Sequence, residues 1–146
     1  MGIIKATLEK IKNVKSSNRI GMISINNLRI GDKASENMKN LVMDSKNPYE
    51  FNKVHFSVDD NDLISQIVFY TTSSSDGTYG IKEAQVEFGQ NKLIMVEDFN
   101  KYLGIGKEEI SEKNPSYKYV KYNEGNYELI LTIRENNIIN IEIRKN

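Results

Sequence analysis

Phe56-Ser57-Val58-Asp59-Asp60-Asn61-Asp62-Leu63-Ile64-Ser65 and Leu131-Thr132-Ile133-Arg134-Glu135-Asn136-Asn137-Ile138-Ile139-Asn140 match position for position without a gap. In each stretch a β-rich run meets four polar residues and then resumes. Period-two alternation puts apolar side chains on one face of a strand, and a polar interruption of this length closes a hairpin. Two hairpins are therefore expected, one from residues 51–58 and 63–72, the other from residues 127–133 and 138–143. Residues 117–122 add a further strand.

The match extends upstream. Ser35-Glu36-Asn37-Met38-Lys39-Asn40-Leu41-Val42 and Val96-Glu97-Asp98-Phe99-Asn100-Lys101-Tyr102-Leu103 share apolar placement and an acidic opening, the pattern of a short amphipathic helix. A β-rich run ending in glycine precedes each, at Gly31 and Gly89, and an Asn-Pro pair follows each. Gly104 is placed to cap the second helix. Repetition of this kind predicts an α+β fold: two copies of a strand-helix-hairpin unit, forming antiparallel sheet with helices on one side. The units cover residues 20–72 and 84–146 of a single domain, 1–146. Ile4, Leu8 and Ile11 recur at helical spacing among lysines, which adds an amphipathic N-terminal helix over 1–17. That helix and the polar stretch Ser73-Ser74-Ser75-Asp76-Gly77 stand outside the repeat.

Arg29-Ile30-Gly31, Glu36-Asn37-Met38, Glu97-Asp98-Phe99 and Leu103-Gly104 make residues 20–146 resemble the β-lactamase-inhibitor-protein-like fold. That fold is shared by small outer-membrane assembly lipoproteins and by anchored extracytoplasmic proteins of low-GC bacteria. The first copy departs from it, with Val42-Met43-Asp44 where the second has Leu-Gly. The resemblance implies a general mode, the binding of another protein, and transfers no partner and no functional residue.

Composition removes several kinds of chemistry. The 146 residues carry 20 basic and 20 acidic side chains, so no global field draws nucleic acid or an anionic membrane. Cysteine is absent, which excludes disulfides, thiolate zinc sites and cysteine nucleophiles. His55, the single histidine, rules out a paired-histidine metal or acid-base site; with Ser57 it shares one strand face, where an ordinary half-exposed strand position explains it. Asp59-Asp60-Asn61-Asp62 offers clustered oxygens, but the sixth and twelfth positions of a calcium loop would be Ile64 and Tyr70, so a turn is expected. Gly104-Ile105-Gly106-Lys107 lacks the remaining residues of a phosphate-binding loop and reads as a helix cap. No catalytic residue, metal ligand or cofactor is assigned, and the chain is read as a non-enzyme.

The candidate site is Tyr117-Lys118-Tyr119-Val120-Lys121-Tyr122. Period two puts Tyr117, Tyr119 and Lys121 on one strand face and Lys118, Val120 and Tyr122 on the other. Tyrosine supplies broad amphipathic contact area at protein interfaces. Aromatic-basic interleaving also stacks single-stranded bases, a use that neutral net charge argues against. The ordinary reading of the same pattern is core and cross-strand packing by one of the two faces, and it stands ahead of an interface here. The expected function is a non-catalytic protein-binding module, with Tyr117, Lys118, Tyr119, Lys121 and Tyr122 as its binding residues. It would be the soluble part of a bacterial surface or lipoprotein, or alternatively a cytoplasmic inhibitor or immunity protein that neutralises a toxin or defence enzyme. No apolar run is long enough to span a bilayer. The chain as written is therefore expected to be soluble, and extracytoplasmic if a leader or anchor once preceded it.

Overall fold

The structure, a computed structural model, describes residues 19–34, 49–51, 54–70 and 84–146. A 3-10 turn, Ile20–Met22, leads into β1 (Ile23–Ile25). There follow β2 (Tyr49–Phe51), β3 (Val54–Val58), β4 (Ile64–Tyr70), β5 (Val86–Phe88), β6 (Asn91–Lys92) and the helix α1 (Val96–Leu103). The chain ends with β7 (Lys107–Ile110), β8 (Tyr117–Glu124), β9 (Tyr127–Arg134) and β10 (Asn137–Lys145). Strands β1-β5-β6 form a small sheet, and β2-β3-β4-β10-β9-β8-β7 form a seven-stranded one in which every pairing is antiparallel.

This overturns the expected α+β arrangement with helices along one side. Among the described residues the chain is mostly strand, in two antiparallel sheets with one α-helix. The cause lies in what covers the large sheet: Ile23, Ile25, Val86 and Phe88 of the small sheet enter the same buried cluster as Val54, Phe56, Ile67, Phe69, Leu129, Leu131, Ile141 and Ile143. Helix α1 contributes Phe99 to it, fully buried, with Tyr102 and Leu103 packed alongside. The expected helix over 1–17, the one over 35–42, and the Ser73 to Gly77 segment lie outside the described residues.

Both polar turns close hairpins as expected, but the strand expected over 51–58 is divided, Phe51 belonging to β2 and Val54–Val58 to β3, and the repeat is offset by one residue in its second strand. Between Ser57↔Gln66 and Val58↔Ile64 the first hairpin bulges at Ser65. Between Thr132↔Asn140 and Ile133↔Ile138 the second bulges at Ile139. Ser65 therefore corresponds to Ile139 and Ile64 to Ile138, whereas the ungapped sequence match pairs Ile64 with Ile139. The extra residue sits in the turn, where Asp59 accepts the backbone N–H groups of Asn61 (2.8 Å) and Leu63 (3.1 Å) through Oδ1. In the second hairpin Glu135 and Asn136 make a two-residue loop with φ of 51° and 67°, the both-positive pattern of a type I′ turn. Burial confirms the corrected match, since Ile64, Ile67 and Phe69 are buried as are Ile138, Ile141 and Ile143.

The two halves meet where β4 pairs β10. Val68 lies opposite Glu142, its own counterpart, and Phe69↔Ile141 and Ile67↔Ile143 flank it, so a local two-fold axis runs through this pair. On either side stand three-stranded meanders, β2-β3-β4 and β8-β9-β10.

Two attachments position the rest. Arg19 donates from its backbone N–H and from Nε (2.7 Å) to the Glu124 carboxylate, and from Nη1 to the Tyr102 carbonyl (3.1 Å), linking the chain entry to the β8 end and to α1. The Gly31 N–H donates to the Ile64 carbonyl, the Ile64 N–H to the Asp32 carbonyl and the Ala34 N–H to the Asp62 carbonyl, which seats residues 31–34 against the first hairpin turn.

Gly106, between α1 and β7, crosses directly over the core. A Cβ there would lie 2.4 Å from Val120 Cγ1 and 2.7 Å from Tyr122 Cζ, in side chains that are themselves buried. Gly106→Ala is expected to lower the urea-unfolding free energy by about 1–3 kcal/mol, the usual cost of overpacking. Unchanged stability would mean that the α1-β7 link is not seated on β8.

Candidate functional site

In β8, alternation divides the candidate residues between the two faces of the large sheet. Val120 and Tyr122 point into the core, paired with Leu131 and Leu129. Tyr117, Tyr119 and Lys121 point outward, opposite Arg134, Thr132 and Ile130. The outward three border a hollow of about 460 Å³ that is also lined by Ile130, Thr132, Asn140 and Glu142. Its form follows from side-chain length. Ile130 and Thr132 on β9 make a low floor, with the tyrosines and Lys121 of β8 as one wall and Asn140 and Glu142 of β10 as the other.

Charges at this face are matched within the chain. Lys121 Nζ lies 3.0 Å from Glu109 on β7. That hydrogen bond and the accompanying charge hold the Glu109 carboxyl below its ordinary value, against a small opposing effect of burial and with further help from Lys107. Gln66 Nε2 donates to Glu142 (2.6 Å), and Arg144 pairs with Glu128 at 2.5 Å and reaches Glu142 at 4.0 Å. The Arg134 guanidinium lies over the Tyr117 ring, 5.7 Å from its centroid. Asn140 Oδ1 is buried with no hydrogen-bond partner.

The other two candidates serve elsewhere. Lys118 lies on the core-side row of β8 and pairs with Glu108 at 3.3 Å. Tyr122 is only 4% exposed and packs near Phe99, its ring centroid 6.4 Å away. Its hydroxyl donates to Asn100 Oδ1 (2.6 Å), which also accepts the Gly106 N–H at 3.3 Å. Burial pushes the Tyr122 phenol up to about 12, with the Glu97 and Glu108 charges adding to the effect.

The remaining motifs take structural places. Gly104 caps α1 with φ of 84°, its N–H donating to the Asn100 carbonyl. Asp98 accepts the N–H groups of Ile94 and Met95, both at 2.9 Å, at the other end of the helix. His55 and Ser57 share the outer face of β3, opposite Val68 and Gln66. Among the described residues no helix is long and apolar enough to cross a membrane.

Sequence reasoning found the β8 wall of the hollow and missed its floor and far wall. Ile130, Thr132, Asn140 and Glu142 carry no motif, and the available signal is that each holds an outward position of a strand adjoining or next but one to β8. The first meander carries His55, Ser57 and Gln66 where the second has Ile130, Thr132 and Asn140.

No protein-family model matches the sequence, and no curated protein aligns with it significantly. Among solved structures the chain is similar to a DUF4309 family protein, YjgB, from Bacillus subtilis, with 20% identity and a TM-score of 0.38. The likeness covers 73% of this chain and 64% of that one, so it falls short of two thirds of the neighbour's length. It is a likeness at the level of fold, under a different family name from the inhibitor-like one suggested by the sequence motifs.

Tyr122 provides a test of the core side of β8. Its folded pKa lies above the unfolded value, so the unfolded state loses its proton first as pH rises. Stability contributed by the neutral phenol is therefore full below about pH 10 and lost as pH rises towards about 12. Tyr122→Phe is expected to remove that alkaline loss and to cost about 0.5–1.5 kcal/mol at neutral pH through the missing hydrogen bond. Urea unfolding at neutral and alkaline pH reads both.

Proposed function

We propose that this chain is a non-catalytic protein-binding module that engages its partner through the outer face of the seven-stranded sheet. The supporting observation is the hollow itself, with two tyrosines and a lysine side by side on one strand of a rigid sheet. Tyrosine contributes contact area with little rotamer entropy to lose, and strands fix side chains better than loops do. Lys121 and Glu142 are held by Glu109 and Gln66, which suits recognition better than proton transfer. Of the five residues expected from the sequence, Tyr117, Tyr119 and Lys121 make the site. Lys118 supports its edge, and Tyr122 supports it from the core.

The protein-binding mode implied by the inhibitor-like motifs agrees with this reading. We place the module as the soluble part of a bacterial surface or lipoprotein; an inhibitor or immunity role would use the same face. The partner is another protein, and no cofactor is assigned.

Capture from the source cells, run in parallel with the wild-type chain and the Tyr117→Ala/Tyr119→Ala variant, tests the proposal. A partner held by the wild type should be lost from the variant, while the two chains unfold at similar urea concentrations. Equal capture by both, or a variant that no longer unfolds cooperatively, would show that these tyrosines serve the fold and not a partner.

A further inference from the structure

Acceptors dominate the wall that β10 gives to the hollow. Glu142 and Asn140 stand at alternate positions there, about 6.6 Å apart along the strand, opposite Ile130 and Thr132 of the floor. Gln66 donates a neutral amide hydrogen to Glu142 Oε1 at 2.6 Å, and among the described residues the one cation within reach is Arg144, 4.0 Å from the same oxygen. The carboxylate is thus held in place without being neutralised. Asn140 Oδ1 is closed to water and has no donor among the described residues. The terminal torsion of an asparagine is broad, so turning the amide towards the hollow gives up no bond at that oxygen.

The neighbouring cations are engaged elsewhere. Lys121 is drawn towards β7 by Glu109 at 3.0 Å, Arg144 is paired with Glu128 at 2.5 Å, and Arg134, one row beyond Thr132, lies over the Tyr117 ring at 5.7 Å. The first two pairs are neutral, which leaves the Glu142 charge for an occupant to answer.

A positively charged donor suits this wall, and the opposite wall suits it too. β8 and β10 lie two strand spacings apart, about 9.5 Å, so a cation bonded to the β10 wall comes within reach of the tyrosine rings, whose faces attract positive charge out to about 6 Å. The same face already makes such a contact, between Arg134 and Tyr117. Guanidinium answers the arrangement better than ammonium does. Its planar fork carries five N–H groups, enough to serve Glu142 and Asn140 together, its face stacks on a ring, and it is the more weakly hydrated of the two. An ammonium is a compact, strongly hydrated point charge.

Resting on the protein-binding reading above, we infer that the hollow between β8 and β10 takes an arginine side chain of the partner protein, with Glu142 as its counter-charge and the β8 tyrosines against its face.

The probe is a blocked Gly-Gly-Arg-Gly-Gly peptide, titrated into the full chain and followed by amide NMR. Peptides with lysine, or with citrulline as the uncharged isostere, in place of arginine are the controls. Saturable shifts at the amides of Ile130, Thr132 and Glu142 are expected with the arginine peptide, and binding at least about tenfold weaker with citrulline and about threefold weaker with lysine. Glu142→Gln, which keeps an acceptor for Gln66, should weaken the arginine peptide at least about tenfold. Thr132→Arg should block it from the floor, and Ser57→Ala on the other meander should leave it unchanged. Absence of saturable binding, equal binding of either control, or indifference to both hollow variants would overturn the inference. Should Glu142→Gln unfold, Thr132→Arg alone decides. If the arginine peptide fails while the double tyrosine variant still loses its captured partner, this inference falls and the protein-binding reading stands. If both fail, both fall.

Discussion

The antiparallel pairing of β4 with β10 is the constraint on which the rest of the structure depends. Each three-stranded meander has one apolar face and an open edge, and so few strands bury too little surface to be secure alone. Joined at this seam they make one sheet, with Phe69 beside Ile141 and Ile67 beside Ile143 on the buried face. Register follows strictly from that burial. A slip of β10 by one residue would turn Ile141 and Ile143 outward and bring Glu142 into the core, where the carboxylate could not be accommodated without a partner.

The bulges at Ser65 and Ile139 have a role in keeping this register. Each lets two residues of the second strand stand opposite one of the first, so alternation changes phase partway along the hairpin. Ile64 and Ile138 thereby reach the core near the turns while Ile67 and Ile141 reach it farther on. With the inner face settled in this way, outward positions are released from packing and can diverge. The first meander presents His55, Ser57 and Gln66, and the second presents Ile130, Thr132 and Asn140 beneath two tyrosines. The candidate site thus belongs to one of two similar meanders.

Support for β8 comes from behind. Tyr122 fills the core side of the strand and fixes Asn100 at the end of α1, and Asn100 in turn receives the Gly106 N–H. That junction sets where the chain leaves the helix and begins β7, and β7 carries the Glu109 that holds Lys121. Arg19 closes the same region from the other end by joining Glu124 to the Tyr102 carbonyl. The wall of the hollow is therefore backed by side chains that never touch it.

The sequence by itself determined the features that depend on neighbours along the chain. Alternation and polar turns located the two hairpins and the 117–122 strand, and the apolar spacing of Phe99, Tyr102 and Leu103 with Gly104 beyond them located α1 at its observed bounds. It also separated Tyr117, Tyr119 and Lys121 from Tyr122, because side-chain direction in a strand is a local property. The tertiary structure alone decided what covers the sheet, since a second sheet and a helical layer satisfy the same apolar face and local pattern does not choose between them. Lys107–Ile110 became a strand by pairing with β8, a contact that no alternation of its own announced. The one-residue offset of the repeat was equally hidden, because Ile138 and Ile139 are alike in sequence and only the bulge shows which one faces inward. The hollow was hidden for the same reason: its floor and far wall come from strands brought beside β8 by cross-strand hydrogen bonds, and those bonds leave no mark in the order of residues.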